Sequence, residues 1–111
     1  MKFLVTCRPA APLPVPPEQA IHMVEAAVAW YEAQLASGAM ECAYLIPDRG
    51  GIAVLEAESA DHLLKTLLAQ PAYPLYHWAV QPLVEWRTGF DGVLAHLRGA
   101  ADRAERAGQA S

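Results

Sequence analysis

The segment from Glu18 to Ala36 constrains the fold most, because its helical pattern is apolar on two sides. One stripe recurs at helical spacing and is predicted to face a sheet. It consists of Ile21, Val24, Val28, Tyr31 and Leu35. The other side carries Met23, Ala26, Trp30 and Ala33. A helix that is apolar nearly all round is covered on both sides. We therefore expect a sheet beneath this helix and a second subunit above it, with the tail of the same chain as the alternative cover.

Strand-like runs lie on either side of this helix. Phe3–Cys7 is rich in strand formers and is followed by a proline-rich loop, Pro9–Pro17, that has few backbone donors. The helix is predicted to end at Gly38, since glycine favours the left-handed closing residue. Met40–Ile46 and Ile52–Ala57 are the next predicted strands, and the glycines between them indicate a hairpin turn.

A second helix and a fourth strand complete the pattern. Ser59 is the predicted N-cap of this helix, whose buried stripe is expected to be Leu63, Leu64, Leu67 and Leu68. The run Leu75–Leu83 alternates as a strand does. The order β-α-β-β-α-β predicts an α+β fold of the ferredoxin-like type, a four-stranded antiparallel sheet with two helices on one face. Tyr76, Trp78 or their neighbours are expected to line part of the open face.

The C-terminal segment has a different character. Residues 1–86 are predicted to form the ferredoxin-like domain, and residues 87–111 a linker followed by a marginal helix or tail. The linker is Thr88–Gly92, and the helix is expected from Val93 to about Ala107, an alanine-rich stretch of low intrinsic stability. This extension is predicted either to dock on a neighbouring subunit or to fray.

The composition limits the possible partners. Charged residues make up 18% of the chain, against about 25% in a typical globular protein. Part of the surface is therefore expected to be buried in a homodimer or a higher homo-oligomer. The net charge is −4 and Lys2 and Lys65 are the only lysines, which argues against a nucleic-acid partner. No run reaches the roughly 20 apolar residues of a membrane span.

The spacing of cysteines and histidines argues against disulfides and metals. Cys7 and Cys42 lie far apart in apolar runs and are expected to be reduced, buried thiols. The four histidines lack metal-ligand spacing. No phosphate-binding or dinucleotide-binding glycine motif is present. We therefore expect a cytoplasmic protein that uses no cofactor and no metal.

Two kinds of side chain are candidates for proton transfer. His77 alternates with Tyr76 and Trp78, so it is predicted to point to the opposite face of the sheet. There it either moves protons near neutral pH or serves as a hydrogen-bonded structural residue. Glu25 and Glu32 lie at the border of the sheet-facing stripe of the first helix. A carboxylate at that border is either a desolvated base or a solvated helix edge.

Aromatic and cationic residues are candidates for ligand binding. Tyr44, Tyr76 and Trp78 lie in predicted strands, where aromatic rings form either a pocket for a flat ligand or part of the core. Arg8 and Arg49 lie at strand ends. A guanidinium group there either binds a carboxylate or is solvated in a loop.

The second helix and the last strand resemble the muconolactone isomerase family. The similar residues are Ser59–Leu63, Leu67, Gln70–Pro74 and Val80–Leu83, with Gly38 at a matching distance. The resemblance covers about residues 1–86. It implies a cofactor-free, oligomeric, ferredoxin-like protein with active sites near subunit contacts. Members of the family move a proton within an unsaturated lactone, and some relatives eliminate chloride instead.

The chain departs from this family at positions that bear on the reaction. The family's glutamate on the first helix aligns with Ala27, and its polar hairpin positions align with Arg49–Gly51. The family's second strand, rich in Trp and Arg, is replaced by Met40–Tyr44. These departures argue against the parent reaction while leaving the fold and the assembly as expected.

The expected function is a cofactor-independent enzyme acting on a small, cyclic, unsaturated metabolite by isomerisation or another proton transfer. Glu25 or His77 is the expected base and Tyr44 the hydrogen-bond donor, while the expected substrate contacts are Arg49, Tyr76 and Trp78. An oligomeric ligand-binding or scaffold protein that lost the family's acid is the first alternative. A cofactor-free oxygenase or cyclase is the second.

Overall fold

The structure, a computed structural model, describes residues 1–47 and 50–110. Its elements follow in the order β1 (Lys2–Pro9), α1 (Pro17–Ser37), β2 (Met40–Leu45), β3 (Gly51–Glu56), α2 (Ala60–Leu68), β4 (Tyr76–Pro82) and α3 (Trp86–Ala110). A turn of 3-10 helix, Tyr73–Leu75, leads into β4. Within the described residues the strands form one antiparallel sheet in the order β2-β3-β1-β4. The predicted ferredoxin-like α+β fold with a C-terminal helical extension is confirmed.

The sheet buries one face because its central strands alternate. Phe3, Val5 and Cys7 of β1 are buried, and they lie directly opposite Leu55, Ala53 and Gly51 of β3. Side chains opposite one another in an antiparallel pair share a face. The two helices cover this face, and the core between them and the sheet includes Met40, Leu55, Leu63 and Leu67.

Helix α1 packs on the sheet through a different edge from the predicted one. Ala27 is its buried residue, and Met23, Trp30 and Tyr31 pack beside it. The predicted stripe is instead exposed at Ile21, Val24, Val28 and Leu35. The periodicity was ambiguous because both sides of the helix are apolar, and only the packing decides which side faces the sheet. Gly38 ends the helix with a left-handed φ of 82°, as predicted.

Helix α2 begins at the predicted cap. The Ser59 hydroxyl accepts a hydrogen bond from the His62 N–H at 3.1 Å, which satisfies one of the unpaired donors of the first turn. Leu63 and Leu67 are buried as predicted, whereas Leu64 and Leu68 are exposed. The buried stripe is narrower than predicted because a single sheet face covers only one side of this short helix.

Strand β4 divides its side chains between the two faces of the sheet. Trp78 lies opposite Cys7, on the face that the helices cover, whereas His77 lies opposite Arg8 on the open face. His77 and Ala79, rather than Tyr76 and Trp78, therefore line the open face. The expectation that His77 points away from its two aromatic neighbours is confirmed.

Helix α3 begins earlier than expected and has little support from the rest of the chain. It starts at Trp86, so Thr88–Gly92 is helical rather than a linker. Glu85 stabilises this start, because its Oε2 accepts from the Thr88 N–H at 3.0 Å. Of the side chains described in α3, none is buried. The radius of gyration is 20.5 Å, against about 13 Å for a compact domain of this length, so α3 projects from the body. No helix within the described residues meets the length and apolarity needed to cross a membrane.

Replacing Leu63 with alanine is expected to lower the free energy of unfolding by about 2–5 kcal/mol, because it leaves a cavity at the centre of the core. Leu63 is 1% exposed, and the next residue in the same helix, Leu64, is 50% exposed. Leu64→Ala is the matched control and is expected to cost less than about 1 kcal/mol. Urea denaturation followed by circular dichroism measures both values. Equal losses in the two variants would contradict the assigned rotation of α2.

Candidate functional site

An apolar cleft of about 340 Å³ lies between α1 and the covered face of the sheet. Cavities of this size hold small organic ligands. The stripe of α1 that was predicted to contact the sheet forms one wall, through Val24, Val28, Tyr31 and Leu35. Residues of all four strands form the floor, and Gln70 and Ala72 close one end.

Small residues on the floor create the space. Ala43, Gly51 and Ala53 line the cleft from β2 and β3, and Ala27 lines it from α1. A side chain at Gly51 would intrude, since a Cβ there would lie 3.3 Å from the Cys7 Sγ. Because these residues are small, α1 rests on the sheet through its Ala27 edge without filling the gap beside it.

Among the weakly acidic groups that line this apolar cleft, those of Cys7, Tyr31 and Tyr76 are buried or partly buried. Burial raises the pKa of the Tyr31 hydroxyl, and burial likewise raises the pKa of Tyr76. Burial also raises the pKa of the Cys7 thiol, partly offset by a hydrogen bond with the backbone of Gly51. All three groups therefore keep their protons at neutral pH and are available as hydrogen-bond donors. A ligand oxygen in the cleft would meet neutral donors in apolar surroundings.

Gln70 lies beside one of these donors. Its side chain is 3% exposed and lies near the Tyr31 hydroxyl, whose pKa it lowers against the larger effect of burial. Its Oε1 also accepts from the Ala72 N–H. The amide is therefore held by the backbone at its oxygen, and it lies beside the ring of Tyr31 at the edge of the cleft.

Stacked aromatic rings stiffen the β4 side of the cleft. Trp78 stacks on Tyr73 with 5.5 Å between ring centroids, and its indole N–H donates to the Tyr73 carbonyl at 2.9 Å. Tyr76 meets the same indole edge to face at 5.9 Å. Rings packed in this way lose little further freedom when a flat ligand binds, so this wall is preorganised.

Glu32 is the one carboxylate among the described lining residues. It extends from the same wall of α1 as Val28 and Leu35. Glu25 lies two turns earlier on the helix and is exposed without lining the cleft. A single helix thus offers one carboxylate at the cleft and one outside it, at positions that the sequence pattern does not distinguish.

The structure brings together half of the predicted site residues. Tyr44, Tyr76 and Trp78 all line the cleft. Glu25 does not, and His77 lies on the open face of the sheet, away from the cleft. Arg49 lies outside the described residues. Ala27 is buried at the cleft wall.

Two lining residues were expected to be core, and a third, Gln70, was noted only in the resemblance to a known family. Tyr31 was assigned to the sheet-facing stripe, Cys7 to a buried strand, and Gln70 to the exit from α2. The available signal was the polar atom that each carries in an otherwise apolar setting, because buried polar atoms need partners. No group of three or more His, Cys, Asp or Glu side chains able to hold a metal ion occurs in the described part of the chain.

The sequence matches no protein-family model and no curated protein sequence. Solved structures do match. The crystal structure of muconolactone isomerase superposes with a TM-score of 0.68 at 19% identity, over 77% of this chain and 90% of that chain. The 5-chloro-2-hydroxyhydroquinone dehydrochlorinase from Burkholderia phenoliruptrix, in complex with 2,5-dihydroxybenzoquinone, superposes with a TM-score of 0.58 at 18% identity, over 77% of this chain and 95% of that chain. At this level of identity the likeness establishes a shared fold.

The raised pKa of Cys7 is expected to make its alkylation slow. In a Cys42→Ser variant, which leaves one thiol, iodoacetamide should react more slowly at pH 8 than with a free cysteine peptide, because less thiolate is present. The rate should rise as the pH is increased past 9. The same variant unfolded in urea is the control and should react at the peptide rate. Peptide-like reactivity in the folded protein would contradict the burial of this thiol in the cleft.

Proposed function

We propose that the protein is a cofactor-independent enzyme that moves a proton within a small, cyclic, unsaturated metabolite, a reaction of the muconolactone isomerase type. The observation that carries the proposal is the cleft itself, in which the Glu32 carboxylate and the neutral donors of Cys7, Tyr31 and Tyr76 border an apolar space. The superposed muconolactone isomerase and dehydrochlorinase support it, since their names describe reactions of small unsaturated or aromatic compounds.

Glu32 is the proposed base. Its carboxylate takes a proton from a saturated ring carbon that lies next to a carbon–carbon double bond. This double bond is conjugated with a carbonyl group or adjacent to one. The electron pair that is released moves onto the carbonyl oxygen and forms a dienolate. Glu32 then returns the proton to another carbon of the same system. Substrate and product have the same composition, so no further reactant is consumed.

The tyrosines are the proposed stabilisers of the dienolate. Tyr31 and Tyr76 keep their protons at neutral pH and line the cleft, so either hydroxyl donates to the oxygen as negative charge develops. Donors held in place in a dry site contribute most to such a step, because they need no reorganisation. Gln70 favours this role because its amide lies beside the Tyr31 hydroxyl. Tyr44 is a further proposed donor.

The polarity of the cleft limits the ligands that fit. The lining residues within the described ranges include no Lys or Arg, so most of the bound ligand is uncharged and flat enough to lie along Trp78. Arg49, next in sequence to the hairpin glycines, remains the proposed contact for any carboxylate that the ligand carries.

Self-association is part of this proposal. The open face of the sheet carries partly buried or exposed apolar side chains at its centre, among them Leu4, Ile52 and Val54. A second copy that covers these side chains would bury the uncharged centre of the open face. We propose that the protein forms a homodimer or a higher homo-oligomer of this kind.

A non-catalytic ligand-binding protein is the alternative, and Ala27 is the observation that favours it. At the position that aligns with the family's glutamate, the cleft wall carries a methyl group instead of a carboxylate. Saturable ligand binding without any product would support this alternative over the enzyme.

Glu32→Gln is expected to reduce kcat by about 10²–10⁴-fold, the usual contribution of a positioned proton-transfer group. Glu25→Gln, on the same helix but outside the cleft, is the matched control and should leave kcat unchanged. The first substrate to test is muconolactone, with the conjugated product followed by ultraviolet absorbance, and then related lactones and cyclic enones. Loss of activity in Glu25→Gln or His77→Ala, with Glu32→Gln fully active, would place the reaction on another surface.

Tyr31→Phe is expected to lower kcat by about tenfold or more with a smaller change in KM, because the donor acts on charge that develops in the transition state. Gln70→Leu should reproduce part of this loss by removing the amide beside the Tyr31 hydroxyl. Circular dichroism checks that both variants fold. A Tyr31→Phe variant with unchanged kcat and a raised KM would assign Tyr31 to ground-state binding instead.

A further inference from the structure

We propose that α3 is a self-association helix that pairs antiparallel with α3 of a second copy of this chain. The inference concerns a surface outside the cleft and does not depend on the proposed reaction. It rests on the exposure of α3, the spacing of its apolar residues and the gradient of side-chain size along it.

The apolar side of α3 is exposed along the helix. Trp86 is 65% exposed and Phe90 is 60% exposed, and Val93, Leu94 and Leu97 are exposed as well. Large apolar side chains at such density on a helix of a small monomer indicate an interaction surface. A helix of 25 residues is about 37 Å long, and α3 extends away from the body, so it is free to meet a partner.

The spacing of these residues is that of a coiled-coil seam. The seam recurs at intervals of four, three, four, three and four residues. Its members are Trp86, Phe90, Val93, Leu97, Ala100 and Ala104. A repeat averaging 3.5 residues keeps one narrow side of a helix facing another helix over its whole length. The seam is therefore suited to a helix as its partner, rather than to a flat sheet.

The sizes of the seam residues favour an antiparallel copy of the same helix. Large aromatic side chains, Trp86 and Phe90, begin the seam, Val93 and Leu97 lie in its middle, and alanines end it. An antiparallel pair places Trp86 against Ala104, Phe90 against Ala100 and Val93 against Leu97 of the partner. Each layer then joins a large residue with a small one, or two of intermediate size, so the helix axes remain evenly spaced. A parallel pair would put Trp86 against Trp86 and Ala104 against Ala104, forcing the axes apart at one end.

Charge and symmetry agree with this arrangement. Arg87 borders the seam at its N-terminal end, and Glu105 lies toward its C-terminal end. In the antiparallel pair, Arg87 of one copy lies on the same flank as Glu105 of the other copy and at nearly the same level along the helix axis. The two-fold axis generates a second, identical pair. The helix dipoles oppose one another, which is also favourable. Such an interface is isologous and closes as a dimer.

The central test uses full-length Leu97→Asp, with Ala95→Asp as the matched control on the opposite side of α3. We expect Leu97→Asp to raise the dissociation constant of one association step by about thirtyfold or more, as a hot-spot residue does. Analytical ultracentrifugation over a range of concentrations measures this change, and Ala95→Asp should leave it unaltered. Equal dissociation constants for the two variants would overturn the proposal. That result would also follow if the copies associated through the open face of the sheet alone.

Disulfide trapping tests the orientation independently. Phe90→Cys and Ala100→Cys proteins, mixed and mildly oxidised, are expected to give the mixed disulfide between positions 90 and 100, identified by mass spectrometry of peptides. Phe90→Cys alone should give little dimer, because the two copies of position 90 lie apart. Predominant Phe90→Cys homodimer would show a parallel pair, and absence of any disulfide through these positions would show that α3 has another partner. Either result would overturn the antiparallel assignment.

Discussion

The contact between α1 and the sheet is the constraint on which the candidate site depends. The helix rests on an edge centred on Ala27, which packs with Ala72 and Leu75 just before β4, while Trp30 and Tyr31 pack against the main core. Because the floor beside this edge is made of Ala43, Gly51 and Ala53, the rest of the helix does not reach the strands. A bulkier floor would convert the cleft into ordinary core.

The same packing explains the electrostatic character of the cleft. Burial disfavours the charged forms of Tyr31, Tyr76 and Cys7, so the space contains proton donors without a fixed cation from the described residues. Such surroundings favour a reaction in which negative charge develops only in the transition state. Glu32, the one carboxylate among the described residues at the wall, lies where the helix meets solvent, which keeps a base accessible beside an apolar binding space.

The protein carries more apolar surface than one chain can cover. The exposed side of α3 and the open face of the sheet are separate surfaces with different shapes, one a narrow helical seam and the other a broad sheet. Two surfaces of this kind allow two different contacts between copies. Neither surface includes the cleft, which lies on the covered face of the sheet. The low proportion of charged residues in the sequence is consistent with both.

The sequence by itself determined the element order, the Ser59 cap and the closing glycine at Gly38, because these depend on local propensity and short-range hydrogen bonds. The antiparallel sheet was predicted from that element order, although its strand pairs join distant parts of the chain. It also determined that His77 and Trp78 lie on opposite faces, since a strand alternates strictly. It predicted Tyr44, Tyr76 and Trp78 as ligand-binding candidates from residue type, and all three line the cleft.

Only the tertiary structure decided which edge of α1 packs against the core. It also decided that Glu32 rather than Glu25 lines the cleft, because these two residues lie on the same side of the helix and differ only in their position along its axis. Two apolar sides give a helix two nearly equivalent rotations, and the choice between them depends on how side chains distant in sequence interlock. The contact between Tyr31 and Gln70 also depends on the tertiary structure. It joins α1 to the segment that follows α2 through packing that no local sequence pattern encodes.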